Sequence, residues 1–386
     1  MKKKIICIES SRAEHSHLFW VLKELEAEPC IDLSLVLVGG HLVSEFGNTA
    51  QLVRQDGFTI LDTIESIMAS DSDLGTSISF GIISLAIAKI FDRHRPDLIL
   101  ILGDRYEMLA VGSVATLMRI PIVHIHGGES TEGLVDEAIR HAITKMSHLH
   151  FASTQMYAQR IIHMGESPDH VFHFGAPGLD NIKRMSFYSK EELEKDLGIK
   201  IQSPLVLSTF HPVTLEPGQS SKYMNNLLTA LESLNATIIF TYPNQDAEGR
   251  SLAEQIKEFC NKKIQTYFFN TLGIRRYYSL MKLANLMVGN SSSGIIESGS
   301  FSLPVVNIGE RQRGRIAGKN VIHSDSDTQS ILKSINICLS QEFLLSIKNM
   351  KNPYGDGDAA KLIAKTIINF PLSSETLKKK FHSAIN

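Results

Sequence analysis

Leu98-Ile-Leu-Ile-Leu-Gly-Asp-Arg-Tyr-Glu107, with Pro121-Ile-Val-His-Ile-His-Gly-Gly-Glu129 and Asp136-Glu-Ala-Ile-Arg-His141 after it, decides how this chain is read. Each of the first two segments carries a short continuous apolar run that stops in glycine and ionisable residues. That is the pattern of a parallel strand buried on both faces. Met108 to Met118 and Asp136 to Met146 read as the helices that follow. In open α/β sheets, ligands occupy the crevice beyond the carboxyl ends of the strands. Two consecutive strands ending in Gly103-Asp104-Arg105 and in His124 to Glu129 therefore point to one shared site, and to an enzyme.

The alternation extends outward in both directions. Ile5 to Ile8 and Leu33 to Val38 read as strands, the latter ending in Gly39-Gly40-His41; Leu18 to Leu25 and Ile82 to Phe91 read as helices. His150-Phe-Ala-Ser153 and Val171-Phe-His-Phe-Gly175 close this half as strands. After Gly175-Ala-Pro-Gly-Leu-Asp180 the composition becomes more charged, and Lys190 to Lys195 reads as a solvated helix. The pattern then restarts. Strands are expected at Leu205 to Ser208, Thr237 to Phe240, Ile264 to Phe268, Leu286 to Gly289 and Val305 to Ile308, with helices at Asn225 to Leu234, Ala247 to Cys260 and Arg275 to Lys282. The fold class is α/β, with two Rossmann-like, doubly wound domains and a cleft between them, the kind of interface that pockets favour. Residues 1–180 are expected to form the N-terminal domain, 181–370 the C-terminal domain and 371–386 a tail.

Composition narrows the function. At 386 residues, 43% hydrophobic and 21% charged, the chain is too long for one ordinary core. A formal net charge of -2 excludes bulk attraction to nucleic acid or to an anionic membrane, so any anion must be bound locally. The four cysteines, Cys7, Cys30, Cys260 and Cys338, lack CxxC spacing; three sit in apolar or helical contexts and read as reduced, buried thiols. The basic start Met1-Lys-Lys-Lys precedes an apolar run of strand length with no small-residue cleavage site, which fits the first strand of a cytoplasmic protein.

No GxGxxG follows the first strand and no GxxxxGK[ST] occurs, which removes support for dinucleotide and Walker-type phosphate binding. The phosphate candidate is Gly289-Asn-Ser-Ser-Ser-Gly294, between a strand and a helix expected to begin near Ile295. The hydroxyls of Ser291 and Ser292 and the amides of a helix N-terminus suit a diphosphate, against the plainer reading of a serine cap. Arg311-Gln-Arg-Gly-Arg315 follows the next strand, and the guanidiniums of Arg311 and Arg315 suit bidentate phosphate contacts rather than a surface basic cluster. Glu297 is placed to accept from ribose hydroxyls or to complement a helix dipole.

Together, Gly103-Asp-Arg105, His126-Gly-Gly-Glu129, Asp136 to Lys145, His211-Pro-Val-Thr214, Gly289-Asn-Ser-Ser292 and Arg311 to Arg315 resemble the hydrolysing UDP-N-acetylglucosamine 2-epimerase family, of the sialic-acid-pathway type. The matches run from Arg12-Ala-Glu14 to Asn352-Pro-Tyr-Gly-Asp-Gly357. The resemblance implies a GT-B fold, UDP bound mainly by the C-terminal half and chemistry supplied mainly by the N-terminal half. It implies conversion of UDP-N-acetylglucosamine and water to N-acetylmannosamine and UDP through 2-acetamidoglucal, without metal or nicotinamide cofactor. It also implies a homodimer. Closure on substrate is expected for a separate reason: Arg311 to Arg315 and Asp104 belong to different expected domains and must meet one substrate.

Loss of the C2 proton needs a base, departure of UDP needs positive charge or an acid, and hydration needs a group that activates water. Asp104, Glu129 and Asp136 match motif positions of the family's catalytic acids, and His211 matches a family histidine near the diphosphate. Asp104 also reads as a helix cap. Arg140 and His141 read equally as substrate contacts or as surface partners one turn from Asp136 and Glu137. Arg105 and Arg12 are further substrate-binding candidates. Two departures stand out. Where relatives have His-x-Glu-x-Gly, this chain has His124-Ile-His126, so acid/base work falls to His126, to Glu129 or to both. In Ser10-Ser-Arg12-Ala-Glu14, serine replaces the family's glycine, which bears on the loop's backbone conformation.

Three alternatives remain in view. The same machinery serves a UDP-2,4-diacetamido-2,4,6-trideoxy-hexose of the legionaminic-acid pathway, with only contacts to sugar C4 and C6 changed. A GT-B glycosyltransferase needs an acceptor groove and leaves the C2 proton in place. A UDP-sugar sensor binds without turnover, but anionic groups beside a diphosphate serve a pure binder poorly.

Overall fold

The computed structural model describes residues 2–43, 49–68, 72–132, 134–213, 216, 218–243 and 248–383. In chain order the first elements are β1 (Lys3–Glu9), α1 (Arg12–Glu26), β2 (Ile31–Val38), α2 (Ala50–Gln55), β3 (Ile60–Ile64), α3 (Asp73–His94), β4 (Leu98–Leu102), α4 (Tyr106–Leu117), β5 (Ile122–Ile125), α5 (Asp136–Met146), β6 (Leu149–Ala152), α6 (Gln155–His163) and β7 (Val171–His173). Then come α7 (Asp180–Arg184), α8 (Lys190–Leu197), β8 (Leu205–Thr209), α9 (Ser220–Glu232), β9 (Thr237–Thr241), α10 (Gly249–Lys262), β10 (Thr266–Phe269), α11 (Gly273–Leu283) and β11 (Leu286–Gly289). The chain ends with α12 (Ser293–Ile296), β12 (Val305–Ile308), β13 (Val321–Ser324), α13 (Thr328–Cys338), α14 (Gln341–Ile347) and α15 (Ala359–Asn369).

One sheet has seven strands in the order β3-β2-β1-β4-β5-β6-β7, the other six in the order β10-β9-β8-β11-β12-β13, and the pairings are parallel throughout. The order reverses between β1 and β4 in the first sheet and between β8 and β11 in the second. Those reversals are the switch points at which doubly wound sheets open a crevice.

In the first sheet, strand alternation sends Ile5 and Cys7 of β1 to one face, with Leu18 and Leu22 of α1 and Ile363 and Ile367 of α15. Ile6 and Ile8 go to the other, with Ile83 and Ile87 of α3 and Met108 and Val111 of α4. Each such side chain contributes about 1.5–3 kcal/mol on burial, so both faces need cover. That explains why the strands are apolar runs rather than alternating ones. Caps set the helix starts: Ser11 accepts from the Glu14 amide at α1, and Ser189 with Glu192 makes a capping box at α8.

The chain divides into two compact units. One comprises the residues up to Glu129, Asp136–Lys183 and those from Tyr354 onward; the other comprises Ser130–Val135 and Arg184–Pro353. The expected C-terminal domain of 181–370 is therefore corrected at its far end, since the second unit stops at Pro353 and the chain from Tyr354 onward packs with the first unit. Helix α15 returns to the first unit for three reasons. Its first amides, Ala359 and Ala360, donate to Asp180 Oδ2 at 3.0 and 3.2 Å. Lys3 Nζ donates to the carbonyls of Ile367, Ile368 and Phe370 at its other end. Between these, its apolar stripe closes the face of the first sheet. Beyond it, Lys379 Nζ pairs with the buried Glu166 at 2.7 Å.

Strands β3 and β13 and helices α2, α6, α7 and α13 to α15 are additions to the sequence reading. The expected helix start at Ala247 lies outside the described residues, as does Thr214. Cys7 and Cys338 are buried, Cys260 is half-buried and Cys30 is exposed, all as free thiols. Helix α3 is long and apolar enough to cross a bilayer by length and composition, with one third of its most apolar stretch buried. Leu74, Ile78 and Leu85 of α3 and Leu117 of α4 are exposed.

Candidate active site

In the first unit, the carboxyl ends of β1, β4, β5 and β6 lie side by side and carry the ionisable residues. Gly103 takes a φ of 82° as β4 ends, and His124 of β5 holds that turn through Nε2 and the Gly103 carbonyl at 2.7 Å. Burial pushes the His124 imidazole down to about 3, so this contact is a neutral N–H donating to the carbonyl. Asp104 follows at once, and its carboxylate accepts from Arg140 of α5: Nε donates at 3.0 Å and Nη2 makes a second, short contact to the same oxygen. Arg140 is wholly buried; its Nη1 also donates to Glu137 Oε2 at 2.6 Å and to the Glu129 carbonyl at 3.3 Å. Burial opposes its charge, but Asp104, Glu129 and Glu137 more than restore it and raise its pKa. Arg140 is thus the hub that fixes Asp104 against the β5 turn.

That turn is unusual. His126 sits in the left-handed region at φ 65°, where a residue that carries a Cβ is strained. Its Nδ1 meets Glu129 Oε1 at 2.6 Å, and the Ser153 hydroxyl, just past β6, donates to the same oxygen at 2.8 Å. Gly128 is required, because a Cβ there would stand 2.4 Å from the Tyr157 carbonyl.

At the β1 end, Ser10 is not among the positive-φ residues, so the serine that replaces glycine adopts an ordinary backbone. It donates from its amide and its hydroxyl, each at 2.6 Å, to the carboxyl of Glu14. Burial raises Glu14 to about 8 against those hydrogen bonds, with Glu107 adding to the rise. Arg12 opens α1 and is half-buried; Arg105 precedes α4 and donates to the fully buried Glu107 from Nε at 3.2 Å and Nη2 at 3.3 Å. Asp136 is half-buried in the first turn of α5, and His141 Nε2 lies 3.2 Å from Glu137 Oε1, the i,i+4 partner.

In the second unit, the carboxyl ends of β8, β11 and β12 are neighbours. Gly289 closes β11 at φ 147°, where a Cβ would lie 1.9 Å from the Thr209 carbonyl. The next residue, Asn290, is a bracket: its side chain accepts from the His211 amide at 2.7 Å and donates to the His211 carbonyl at 2.8 Å. Its own carbonyl accepts from Arg311 Nη1 at 3.1 Å and Gln312 Nε2 at 2.9 Å. Arg315 Nη1 in turn donates to Gln312 Oε1 at 3.1 Å. His211, Ser291, Arg311 and Arg315 are thereby gathered on one scaffold. Burial, and then the Arg311 guanidinium, push the His211 imidazole well below the usual histidine range. It is a neutral hydrogen-bonding group. Helix α12 is only four residues long, which confines any dipole contribution to a single turn. Ser291 Oγ accepts from the Ser293 amide at 3.3 Å, and Ser292 is half-buried at the cap position. Glu297 is buried just after the helix.

Glu137 figures in the sequence reading only as the i,i+4 partner of His141, and Ser153, Gln312 and Tyr277 are not singled out there. Burial pushes the Tyr277 phenol up to about 12, against hydrogen bonds with Ser293, Thr209 and Ser291. Only the i,i+3 spacing of Glu137 and Arg140 offered a signal; the others act through the fold. Among the described residues, no group of three or more His, Cys, Asp or Glu is placed to hold a metal ion.

Residues 23–368 match the family described as UDP-N-acetylglucosamine 2-epimerase. The chain belongs to that family. It is 40% identical over 344 residues, 89% of each chain, to the GDP/UDP-N,N'-diacetylbacillosamine 2-epimerase (hydrolyzing) of Campylobacter jejuni. It is 35% identical to the UDP-N,N'-diacetylbacillosamine 2-epimerase (hydrolyzing) of Legionella pneumophila, over 98% of this chain and 99% of that one. Its fold matches the crystal structure of UDP-GlcNAc 2-epimerase from Neisseria meningitidis bound to UDP-GlcNAc, with a TM-score of 0.81 at 19% identity over 95% and 99% of the chains. This 2-epimerase therefore has the two-domain α/β architecture of the GT-B enzymes. It is a hydrolysing enzyme acting on a UDP-sugar.

Proposed function

We propose that this 2-epimerase hydrolyses UDP-N,N'-diacetylbacillosamine, a UDP-2,4-diacetamido-2,4,6-trideoxy-hexose, to UDP and the C2-inverted free sugar. The supporting observation is the pair of relatives named for that substrate, at 40% and 35% identity over nearly their whole lengths. It favours the diacetamido alternative over UDP-N-acetylglucosamine and the sialic-acid pathway. Either substrate calls for the same chemistry: the C2–H electron pair becomes a C1=C2 bond as the C1–O pair leaves on UDP, and water then adds at C1 with a proton at C2.

The site residues take roles that fit this chemistry. Asp104, Asp136 and the hydrogen-bonded His126–Glu129 pair supply acid and base functions at the sugar, and Arg140 and His141 hold the carboxylates. Arg12, Arg105, Arg311 and Arg315 supply positive charge for the diphosphate, with Ser291, Ser292 and neutral His211 as uncharged hydrogen-bonding groups. Glu297 accepts from the ribose. A homodimer in the cytoplasm completes the reading, supported by the exposed apolar residues of α3 and α4, which a second copy would cover. Parallel turnover of the two UDP-sugars by the purified protein tests substrate choice. A larger kcat/KM for UDP-N-acetylglucosamine would overturn it.

A further inference from the structure

We propose that Ser153, Glu129 and His126 form a hydrogen-bonded relay that fixes one imidazole nitrogen, His126 Nε2, as the base that removes the C2 proton. Glu129 and Ser153 are then positioning residues. The inference rests on the 2-epimerase reading for its chemistry and on four observations for its geometry.

The first is direction. Glu129 Oε1 receives both His126 Nδ1, at 2.6 Å, and the Ser153 hydroxyl, at 2.8 Å. A carboxylate is acceptor-only, so this arrangement selects the tautomer with hydrogen on Nδ1 and leaves the lone pair on Nε2. The second is the state of Nε2. It is buried and, among the described residues, has no hydrogen-bond partner. A buried polar atom left in that state costs about 1–3 kcal/mol, and a site that retains one does so for a reason.

The third is strain: His126 holds φ 65° while its amide donates to the Phe151 carbonyl at 2.9 Å. The backbone of β6 thus clamps the histidine two residues before Ser153 bonds its carboxylate partner. Arg160 Nη1 donates to the Gly128 carbonyl at 2.6 Å and secures the turn between His126 and Glu129. The fourth is enclosure, since His126, Glu129 and Ser153 are 8%, 1% and 3% exposed. Glu129 is the most deeply enclosed of the three, and its Oε1 is already engaged by both His126 and Ser153.

In the first half-reaction, Nε2 takes the C2 proton as the C2–H pair forms the C1=C2 bond and the C1–O pair leaves on the β-phosphate oxygen of UDP. The imidazolium, stabilised by Glu129, releases that proton to solvent. Hydration then places a proton on the opposite face of C2 from a different acid, which yields the inverted centre. Ser153 holds the carboxylate so that its oxygen faces Nδ1 throughout.

The test uses the full-length protein, labelled with 15N-histidine, and the variants Ser153→Ala, Ser153→Thr, Glu129→Gln and His126→Gln. A short Nδ1–H to carboxylate bond gives a proton resonance far downfield. It is expected in the wild type, absent from His126→Gln and Glu129→Gln, and displaced in Ser153→Ala. With UDP-N,N'-diacetylbacillosamine, Glu129→Gln should lower kcat on the order of 100-fold or more, within the range of positioned acid–base catalysis. Ser153→Ala should lower kcat about 10-fold with KM within about 2-fold, and Ser153→Thr should recover most of the loss. Unchanged kcat in Ser153→Ala, or a downfield resonance that survives Glu129→Gln, overturns the relay while leaving the 2-epimerase reading intact. A wild type inert toward both UDP-sugars, yet showing the Glu129-dependent resonance, overturns the substrate reading and the role of Nε2 but not the hydrogen-bond order.

Discussion

Replacing Arg140 with methionine removes the hub of the first unit's site while keeping a side chain of similar length. The guanidinium makes two contacts with Asp104, one of 3.0 Å and one shorter, and one of 2.6 Å with Glu137, besides the weaker bond to the Glu129 carbonyl. Hydrogen bonds to charged groups contribute about 1.5–3 kcal/mol each. The Asp104 and Glu137 side chains are 23% and 28% exposed and regain some hydration when released, which brings the loss below the sum. Breaking a buried ion pair from one side costs about 3–5 kcal/mol, and that is the expected destabilisation. Urea unfolding at pH 7 measures it through the midpoint at constant slope.

The same variant should lose catalysis, because Asp104 is no longer fixed. The decisive control is Asp104→Asn in the Arg140→Met background. Removing the stranded carboxylate should recover about 1–2 kcal/mol relative to additivity, since both residues belong to one network. A loss below about 1 kcal/mol in the single variant, or strict additivity in the double, would refute the hub.

Three further outcomes are expected. Glu14 is raised to about 8, so the folded chain keeps a proton that the unfolded chain releases above about 4.5, and stability falls as pH rises from 4.5 to 8. Glu14→Gln lacks that slope, and its thermal midpoint should gain on the wild type between pH 5 and pH 8; a constant gap counts against a protonated Glu14. Glu166 is different: burial would raise it, but hydrogen bonds from His150, Lys145 and Lys379 bring it down to about 2, so its stabilisation is present above pH 4.5 and is lost toward pH 2. Lys379→Met should cost about 1–3 kcal/mol near neutral pH and less below pH 3, and equal losses at both would show that the C-terminal contact is passive. Arg311→Gln removes a cation that the Asn290 carbonyl orients, and calorimetry should find UDP binding weakened by about 10-fold or more. Undiminished affinity would place the diphosphate elsewhere.

Most strands were legible because a parallel strand covered on both faces must be continuously apolar, as Leu98 to Leu102 is. The missed strands are edge strands. Residues Ile60 to Ile64 include Asp62 and Thr63, and Val321 to Ser324 include His323, because one side of each faces no further strand. The return of α15 was hidden for another reason. It depends on Asp180 and Lys3, which lie far from it in sequence and bond its two ends. The strand-end motifs singled out Asp104, His126, Glu129 and Arg311, which the fold sets just past β4, β5 and β12. Motifs did not show which partners would meet: Arg140 turns to Asp104 across the sheet, and Ser153 reaches Glu129 from the next strand. Adjacent strand ends become neighbours only after the order β1-β4-β5-β6 is established.

Hydrolysis of the diacetamido sugar with inversion at C2 must proceed through loss of the C2 proton. Proton NMR in heavy water tests it directly, with UDP-N,N'-diacetylbacillosamine and UDP-N-acetylglucosamine followed in parallel. The expected result is release of UDP together with a manno-configured free sugar carrying deuterium at C2, faster from the diacetamido substrate. Bound UDP with both sugars intact, or a product that keeps its C2 proton, would contradict it.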